Sequence, residues 1–166
     1  MYKVQISGTG LYTPKEKISN EELVQSFNKY VDEFNEIHSE DIKNGKTQPL
    51  EKSSAEFIEK ASGVKSRYVQ NKTGILDTSF MRPKLRERSE DELSNLAEMG
   101  VIAAKDAIKN SNIDVDDIDA VILGTSHAAR NYPSVAIEIQ NELGIDGYAY
   151  DMLVGCSSTT FAINKS

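Results

Sequence analysis

The sequence predicts a layered α/β fold, in which strands and helices alternate along the chain. The nearly continuous apolar segment AVILGT, residues 120–125, is typical of a strand that is covered on both faces. An amphipathic helical segment at 91–110 precedes it, and a second helical segment at 133–143 follows it. A further apolar segment at 148–154 then leads into a run of small residues. With 166 residues, the chain is long enough for one domain with a buried core.

The first third of the chain predicts a strand, a helix and an insertion. KVQISGTGL, residues 3–11, alternates as a strand does, although glycines interrupt it. Ser19 is a helix-capping residue that precedes two glutamates, so we expect a helix over 22–30 or beyond. Residues 35–54 are polar and contain NGKTQP, which predicts a surface insertion.

The middle of the chain predicts shorter elements. AEFIEKA, residues 55–61, predicts a short helix that Gly63 closes, and VKSRYV, residues 64–69, predicts a strand. Residues 71–88 have no clear period and are expected to be irregular. The long helix that follows is predicted from an apolar stripe at spacings of three and four: Leu93, Leu96, Ala97, Gly100, Val101, Ala104, Ala107 and Ile108.

The helical segment at 133–143 has clear boundary signals. An acidic connection at 114–119 leads into the strand at 120–125. Pro133 and Ser134 begin the helix after this strand, and Gly144 stops it.

Composition limits the class of protein. The net charge of −7 argues against general nucleic-acid binding, which needs a basic surface. A single cysteine cannot form an internal disulfide, so a reducing compartment is expected. The sequence MYKVQISGTG lacks the features of a signal peptide, and no segment approaches the roughly 18 apolar residues of a membrane span. We therefore expect a cytoplasmic protein with neither a nucleic-acid nor a membrane partner.

Cys156, the single cysteine, lies between a predicted strand and a predicted helix. The unpaired amides and the dipole at a helix N-terminus favour an anion, here the thiolate. Gly155 permits a sharp turn, and the small residues SSTT at 157–160 leave space beside the sulfur. These features fit a nucleophile. The alternative is a buried structural cysteine, because free cysteine is among the most buried residue types.

Four ordered segments resemble the β-ketoacyl-acyl-carrier-protein synthase III family of the thiolase superfamily. They are VQISGTGLYTPKEKISNEEL (4–23), ASGVKSRYV (61–69), AVILGTSHAARNYPSVAIEIQNELGI (120–145) and YAYDMLVGCSSTTFAI (148–163). The resemblance omits two insertions, near 30–53 and 71–88, which suggest a longer subgroup acting on longer or unusual acyl chains. It implies a thiolase-like layered α/β fold, of which residues 1–166 are only the N-terminal half.

The resemblance also implies an activity. Cys156 would accept an acyl group as a thioester and condense it with malonyl-acyl-carrier protein in fatty acid or related biosynthesis. The family's histidine and asparagine, which assist decarboxylation, would lie beyond this chain, so these residues alone are expected to be inactive. The implied protein is a homodimer that uses acyl-coenzyme A or acyl-carrier-protein thioesters as substrates, acyl carrier protein as a partner, and neither a cofactor nor a metal. The alternatives are another thiolase-superfamily Claisen enzyme, similar to hydroxymethylglutaryl-coenzyme A synthase, and a non-catalytic α/β interaction domain.

Further site residues follow from the same resemblance. Tyr132 matches an aromatic position that in relatives lines the dimer partner's acyl pocket, or it is a loop aromatic packed on Pro133. Phe57 matches a tryptophan that stacks on coenzyme A, or it belongs to the core of its short helix. Ala61 stands where relatives have an arginine, so the coenzyme A site departs from the family pattern and the donor is expected to differ from acetyl-coenzyme A.

Two features are less closely tied to the family. His127 follows the strand at 120–125 and could be a base for Cys156, although the resemblance implies that the catalytic histidine comes from the other half. A basic stretch in an acidic chain could dock a carrier protein or be a solvated face. It consists of Arg82, Lys84, Arg86 and Arg88.

Overall fold

The computed structural model describes residues 4–128, 130 and 132–166. The helices are α1 (Asn20–Ile37), α2 (Ser39–Lys43), α3 (Ala55–Ser62), α4 (Lys72–Leu76), α5 (Asn95–Asn110), α6 (Val135–Leu143) and α7 (Ser158–Lys165). The strands are β1 (Glu16–Ser19), β2 (Ser66–Val69), β3 (Ala120–Gly124) and β4 (Tyr148–Met152). The described residues form two compact units, one of residues 4–12 with 87–166 and one of residues 13–86. Over the described ranges, no helix has both the length and the apolar character needed to cross a membrane.

The first unit is built on the parallel pair β3–β4. Ala120 lies opposite Tyr148 at one end of the pair, and Gly124 lies opposite Met152 at the other. Side chains alternate across the pair, so Val121 and Leu123 of β3 pack against the buried core of α5 and α6. Positions 120, 122 and 124 instead line a cavity with α7. Helices therefore lie on both faces of β3, as its continuous apolar sequence predicted.

Local capping sets the ends of α5 and α6. The hydroxyl of Ser94 accepts a hydrogen bond from Ala97 N, so α5 begins after Ser94 and not at residue 91. Ser94 N donates to the Glu138 carboxylate on α6 at 2.8 Å. The predicted start and stop of α6 are confirmed, because Ser134 caps its N-terminus and Gly144 is left-handed, with φ of 71°.

Residues 4–11 do not form the predicted strand, and Lys3 lies outside the described residues. This segment runs along α5: Leu11 N donates to the Asp106 carboxylate at 3.1 Å, and the Asn110 amide donates to Thr9 O at 3.0 Å. A Cβ at Gly10 would collide with the backbone of α5 at Ala103. Side chains of the helix thus bind backbone groups that would pair in a sheet, and glycine permits the close approach.

The second unit is built on the antiparallel pair β1–β2. Glu16 lies opposite Val69, and β1 leads directly into α1. Ser19 and Glu22 form a capping box at the start of α1. Beneath it, the buried side chain of Asn20 donates to Val64 O at 2.7 Å and accepts from the Arg67 guanidinium at 3.0 Å. These bonds hold the start of α1 against the segment that leads into β2.

Both predicted insertions contain helices. α1 continues to Ile37 and α2 follows it, and α4 lies in the stretch expected to be irregular. The side chain of Asn35 both donates to and accepts from the backbone of Leu50 at 2.9 Å, which orders the polar segment. This unit contains a partly open apolar pocket of about 290 Å³, lined by Leu23, Val24, Phe27, Ile58, Ile75 and Met81 together with two serines. Hydrogen bonds from side chains to the backbone order these segments, which were predicted to be a surface insertion and an irregular stretch. Composition does not reveal such bonds.

Candidate active site

Cys156 occupies the predicted strand-to-helix turn. β4 ends at Met152, a single 3₁₀ turn spans Gly155–Ser157, and α7 begins at Ser158. Gly155 has φ of 62°, a conformation that L side chains rarely adopt. The cysteine is free and exposed, so the alternative of a buried structural cysteine is wrong. An exposed thiol at the start of a helix can meet an incoming electrophile.

The hydroxyl of Ser158 organises this turn. Ser158 is only 2% exposed. Its Oγ accepts a hydrogen bond from Val154 N at 2.9 Å and lies 2.8 Å from both Gly155 O and Thr125 O. One side chain thus connects the residues before Cys156 and the start of α7 to the residue that follows β3.

Backbone packing brings the same elements together. A Cβ at Gly124 would lie 2.9 Å from the carbonyl carbon of Ser158, which is closer than a side chain allows. Thr125 N donates to Met152 O at 3.1 Å, so the parallel pairing continues one residue beyond β3. Because parallel strands end at the same edge of a sheet, the loop after β3 and the turn that carries Cys156 lie at one edge.

The loop after β3 carries His127 at this edge. Its side chain is exposed, and its backbone N–H and C=O both bond to the Thr125 hydroxyl. Among the residues that the structure describes, no hydrogen bond joins the His127 imidazole to Cys156. The hypothesis that His127 is a base for Cys156 stays a prediction.

Tyr132 lies in the same loop and is 89% exposed, so it is not the packed loop aromatic of the alternative interpretation. The helix that follows it is fixed by Asp151 of β4. One carboxylate oxygen of Asp151 accepts from Val135 N at 2.9 Å, and the other accepts from Ala136 N at 2.8 Å. With Ser134 accepting from Ile137 N, the first amides of α6 are bonded. The segment after Tyr132 is therefore anchored to the strand that leads to Cys156.

Phe57 lies on α3 in the second unit and is 67% exposed, so the interpretation of Phe57 as a core residue is wrong. Its neighbour Ile58 lines the apolar pocket instead, because successive helical residues point in different directions. Ala61, one turn further along α3, is also exposed. The hypothesis that Phe57 contacts coenzyme A stays a prediction.

The basic stretch is largely engaged with its own surroundings. Lys84 pairs with Asp77 at 2.7 Å, and this contact, with hydrogen bonds from Ser79, lowers the pKa of Asp77. The Arg82 guanidinium lies 4.5 Å from the ring centre of Phe80. Arg88 pairs with Glu98 and donates to Leu93 O at 2.8 Å. These contacts favour a structural role over a freely available docking surface for these three side chains.

Sequence reasoning missed Ser158 and Asp151. Ser158 was one of four small polar residues expected to leave space around the thiol, and it has the same residue type as the exposed Ser157. The available signal was the spacing of four between Ser158 and Ala162, which puts both on the buried face of α7. Asp151 was a polar residue in a predicted buried strand, and such a residue needs a partner.

Comparison with known proteins identifies close relatives, although no protein-family model matches the chain. It is 51% identical over 143 residues to a β-ketodecanoyl-[acyl-carrier-protein] synthase of Pseudomonas aeruginosa, a match that covers 86% of this chain and 41% of the relative. It is 28% identical over 164 residues to a β-ketoacyl-[acyl-carrier-protein] synthase III of Bartonella bacilliformis, covering 98% of this chain and 37% of the relative.

Solved structures agree in fold. The 3-oxoacyl-[acyl-carrier-protein] synthase III of Aquifex aeolicus matches 97% of this chain and 38% of its own, with a TM-score of 0.63 and 25% identity. The priming β-ketosynthase of the R1128 polyketide pathway matches 97% of this chain and 35% of its own, with a TM-score of 0.63 and 23% identity. These neighbours bear out the thiolase-like layered α/β fold. The chain spans about two fifths of the length of the relatives that it matches.

Proposed function

The chain belongs to the β-ketoacyl-[acyl-carrier-protein] synthase III family, and from this premise we propose that the whole protein is an acyltransferase whose nucleophile is Cys156. It would catalyse the decarboxylative Claisen condensation of an acyl thioester with malonyl-acyl-carrier protein. The observation that carries this proposal is the exposed thiol on the strand-to-helix turn of a chain 51% identical to a carrier-protein-dependent synthase. The named relatives favour this class over a hydroxymethylglutaryl-coenzyme A synthase and over a non-catalytic domain.

The first half-reaction uses residues of this chain. The Cys156 thiolate attacks the carbonyl carbon of an acyl thioester, so that a new carbon–sulfur bond forms. The bond between the acyl carbon and the donor sulfur breaks, and the donor thiolate takes up the proton that Cys156 released. The product is an acyl-cysteine and a free thiol, with no cofactor or metal required.

The second half-reaction needs groups that stabilise the carbanion formed when malonyl-acyl-carrier protein loses carbon dioxide. We propose that the family's histidine and asparagine supply this from the part of the protein that the 166 residues do not span. Residues 1–166 would thus form the N-terminal, nucleophile-bearing half. We accordingly expect this chain alone to form the acyl-cysteine slowly and not to condense.

The acyl donor is proposed to be of medium length. The Pseudomonas relative is named for a ten-carbon product, and condensation with malonyl-acyl-carrier protein adds two carbons, so its donor would carry eight. Ala61 in place of the family's arginine bears on the coenzyme A portion of the donor, since alanine cannot pair with a phosphate. The exposed rings of Phe57 and Tyr132 are proposed contacts, Phe57 for the donor's coenzyme A or pantetheine portion and Tyr132 for a partner subunit's acyl pocket.

We also propose that the whole protein is a cytoplasmic homodimer in fatty acid or related biosynthesis, with acyl carrier protein as its partner. The exposed Tyr132 supports the dimer, because an aromatic ring left in solvent is a frequent interface residue. Sedimentation velocity at micromolar concentration tests it. A monomer would contradict both the dimer and the proposed role of Tyr132 in a partner's pocket.

The decisive experiment is acylation of the whole protein. Straight-chain acyl-coenzyme A donors of two to twelve carbons are each mixed with the protein, and the mass of the intact chain is followed. We expect acyl addition at Cys156, with the largest second-order rate for octanoyl-coenzyme A, and no addition to Cys156→Ala. Addition that persists in Cys156→Ala would contradict the proposed nucleophile, and a maximum at two carbons would contradict the donor length.

A further inference from the structure

We infer that Ser158 is a positioning residue for Cys156. The buried hydroxyl of Ser158 holds the turn that carries Cys156, here called the nucleophile turn (residues 153–157), in the geometry that acyl transfer requires. The inference rests on the proposed function, because it concerns how the acyl-cysteine forms. It is separate from the identity of the nucleophile, since Ser158 is buried and Cys156 is exposed. The serine acts through the backbone of the turn and does not touch the substrate.

Side-chain packing holds the turn only weakly. Leu153, Val154 and Cys156 are all exposed, so burial of their side chains contributes little to fixing the backbone. Gly155, which lies between Val154 and Cys156, has many accessible backbone conformations in the absence of other constraints. Hydrogen bonds must therefore select the observed conformation.

Ser158 forms these bonds with the two residues that precede the thiol. Val154 N donates to its Oγ, and Gly155 O lies within hydrogen-bonding distance of the same atom. The hydrogen bonds between Ser158 and these two residues thus close a ring of backbone, and Cys156 lies at the outer edge of this ring. The ring fixes the direction in which the Cα–Cβ bond of Cys156 points.

The same hydroxyl attaches the ring to the sheet edge. Thr125 O also lies 2.8 Å from Ser158 Oγ, and Thr125 begins the loop that carries Tyr132. A hydroxyl has one hydrogen, so it donates to Thr125 O and Gly155 O in a shared or alternating manner. Removal of Oγ from Ser158, which is only 2% exposed, leaves Val154 N–H and Thr125 C=O without this partner, so the turn is expected to rearrange.

Two reactions of Cys156 distinguish positioning from stability. Acyl transfer needs the sulfur, the carbonyl and the groups around the developing oxyanion in a defined arrangement, and a displacement near 1 Å can lower such a rate by about 100-fold. Alkylation by iodoacetamide needs an exposed thiolate but no built oxyanion site. Loss of positioning should therefore slow acylation much more than alkylation. Because iodoacetamide also labels the thiol of an unfolded chain, the two rates are compared only in preparations that urea unfolding shows to be folded.

The test compares Ser158→Ala with wild type and with Ser157→Ala in the whole protein. Ser157 is the matched control, because it is a serine of the same turn that is exposed. Second-order rates are measured for octanoyl-coenzyme A and for iodoacetamide on each preparation. We expect the ratio of acylation to alkylation to fall by about 10- to 100-fold in Ser158→Ala and to stay near the wild-type value in Ser157→Ala.

A second variant keeps the test available if Ser158→Ala does not fold. Ser158→Gly leaves room for a water molecule to replace the hydroxyl, so an intermediate fall in the ratio is expected. An unchanged ratio in the folded variant would overturn the inference while wild type still acylates. Failure of wild type to acylate at Cys156 with any donor would instead overturn the proposed function, so the two failures are distinguishable.

Discussion

Replacement of Asp151 by asparagine should destabilise the protein through the start of α6. Each carboxylate oxygen accepts one backbone hydrogen bond, from Val135 N at 2.9 Å and from Ala136 N at 2.8 Å. Asparagine keeps one acceptor oxygen, loses the second, and removes a negative charge next to a helix N-terminus. The amide group also presents N–H donors towards another N–H donor.

The magnitude follows from these two losses. A hydrogen bond to a charged group contributes about 1.5–3 kcal/mol, and a charge at a helix N-terminus contributes roughly 0.3–1 kcal/mol. Since one neutral bond remains, we expect the free energy of unfolding to fall by about 2 kcal/mol, near a 30-fold change in the folding equilibrium.

Urea unfolding of the whole protein at one fixed concentration measures this change. The midpoint should shift downward with the slope unchanged. Asp146→Asn is the matched control, because Asp146 is an exposed aspartate on the connection between α6 and β4 and its replacement removes the same charge. Equal midpoints for the Asp151 and Asp146 variants would refute the assignment of Asp151 as the residue that anchors α6.

Three further predictions concern the turn and the second unit. Iodoacetamide should label Cys156 in the native whole protein faster than it labels a model thiol at neutral pH, whereas labelling only after denaturation would mean that the thiol is inaccessible. Gly155→Ala should cost about 1–2 kcal/mol, because φ is 62° at this position, and should also slow acylation. Gly144→Ala is the matched control, because Gly144 has φ of 71° at the C-terminus of α6. It should lower the free energy of unfolding by a similar amount without slowing acylation. Equal acylation rates for the two variants would argue against a geometric role for the turn. The pKa of Glu22 is lowered by its hydrogen bond with Lys72 and by a hydrogen bond from the Ser19 backbone. Ionised Glu22 therefore stabilises the fold at pH values above the unfolded pKa of glutamate, near 4.3. This stabilisation is lost as the pH falls through the lower pKa of the folded state. The difference in urea midpoint between wild type and Glu22→Gln should therefore be constant from pH 7 to 5 and shrink towards pH 3, and a constant difference down to pH 3 would contradict this ion pair.

The elements that the sequence predicted best have local determinants. The short helix α3 and the helix α6 each have a serine before the first turn and a left-handed glycine after the last. Cys156 could be assigned to a turn because Gly155 precedes it and an apolar strand leads into it. Such signals lie within a few residues of the structure that they specify, so a single sequence is sufficient to find them.

The incorrect predictions have non-local causes. Residues 4–11 alternate as a strand does, but α5, about a hundred residues later, supplies the carboxylate and the amide that bind their backbone. On α3, two adjacent apolar residues could each have faced inward, and packing in the second unit selects Ile58 over Phe57. In both cases the deciding contact comes from a part of the chain that local periodicity does not contain.

The nucleophile turn combines a local signal with a distant one, and this follows from the chemistry it has to support. A thiol that accepts an acyl group must be open to its donor, so the residues around it cannot be fixed by burying their side chains. Hydrogen bonds from buried neighbours must hold the backbone instead. Here the Ser158 hydroxyl bonds to Val154 N and to the carbonyl of Thr125, the residue that follows β3. The residue that controls the reactivity of an exposed cysteine is therefore to be sought among buried polar neighbours in the following helix turn, where a small hydroxyl can reach the segments that follow two strands.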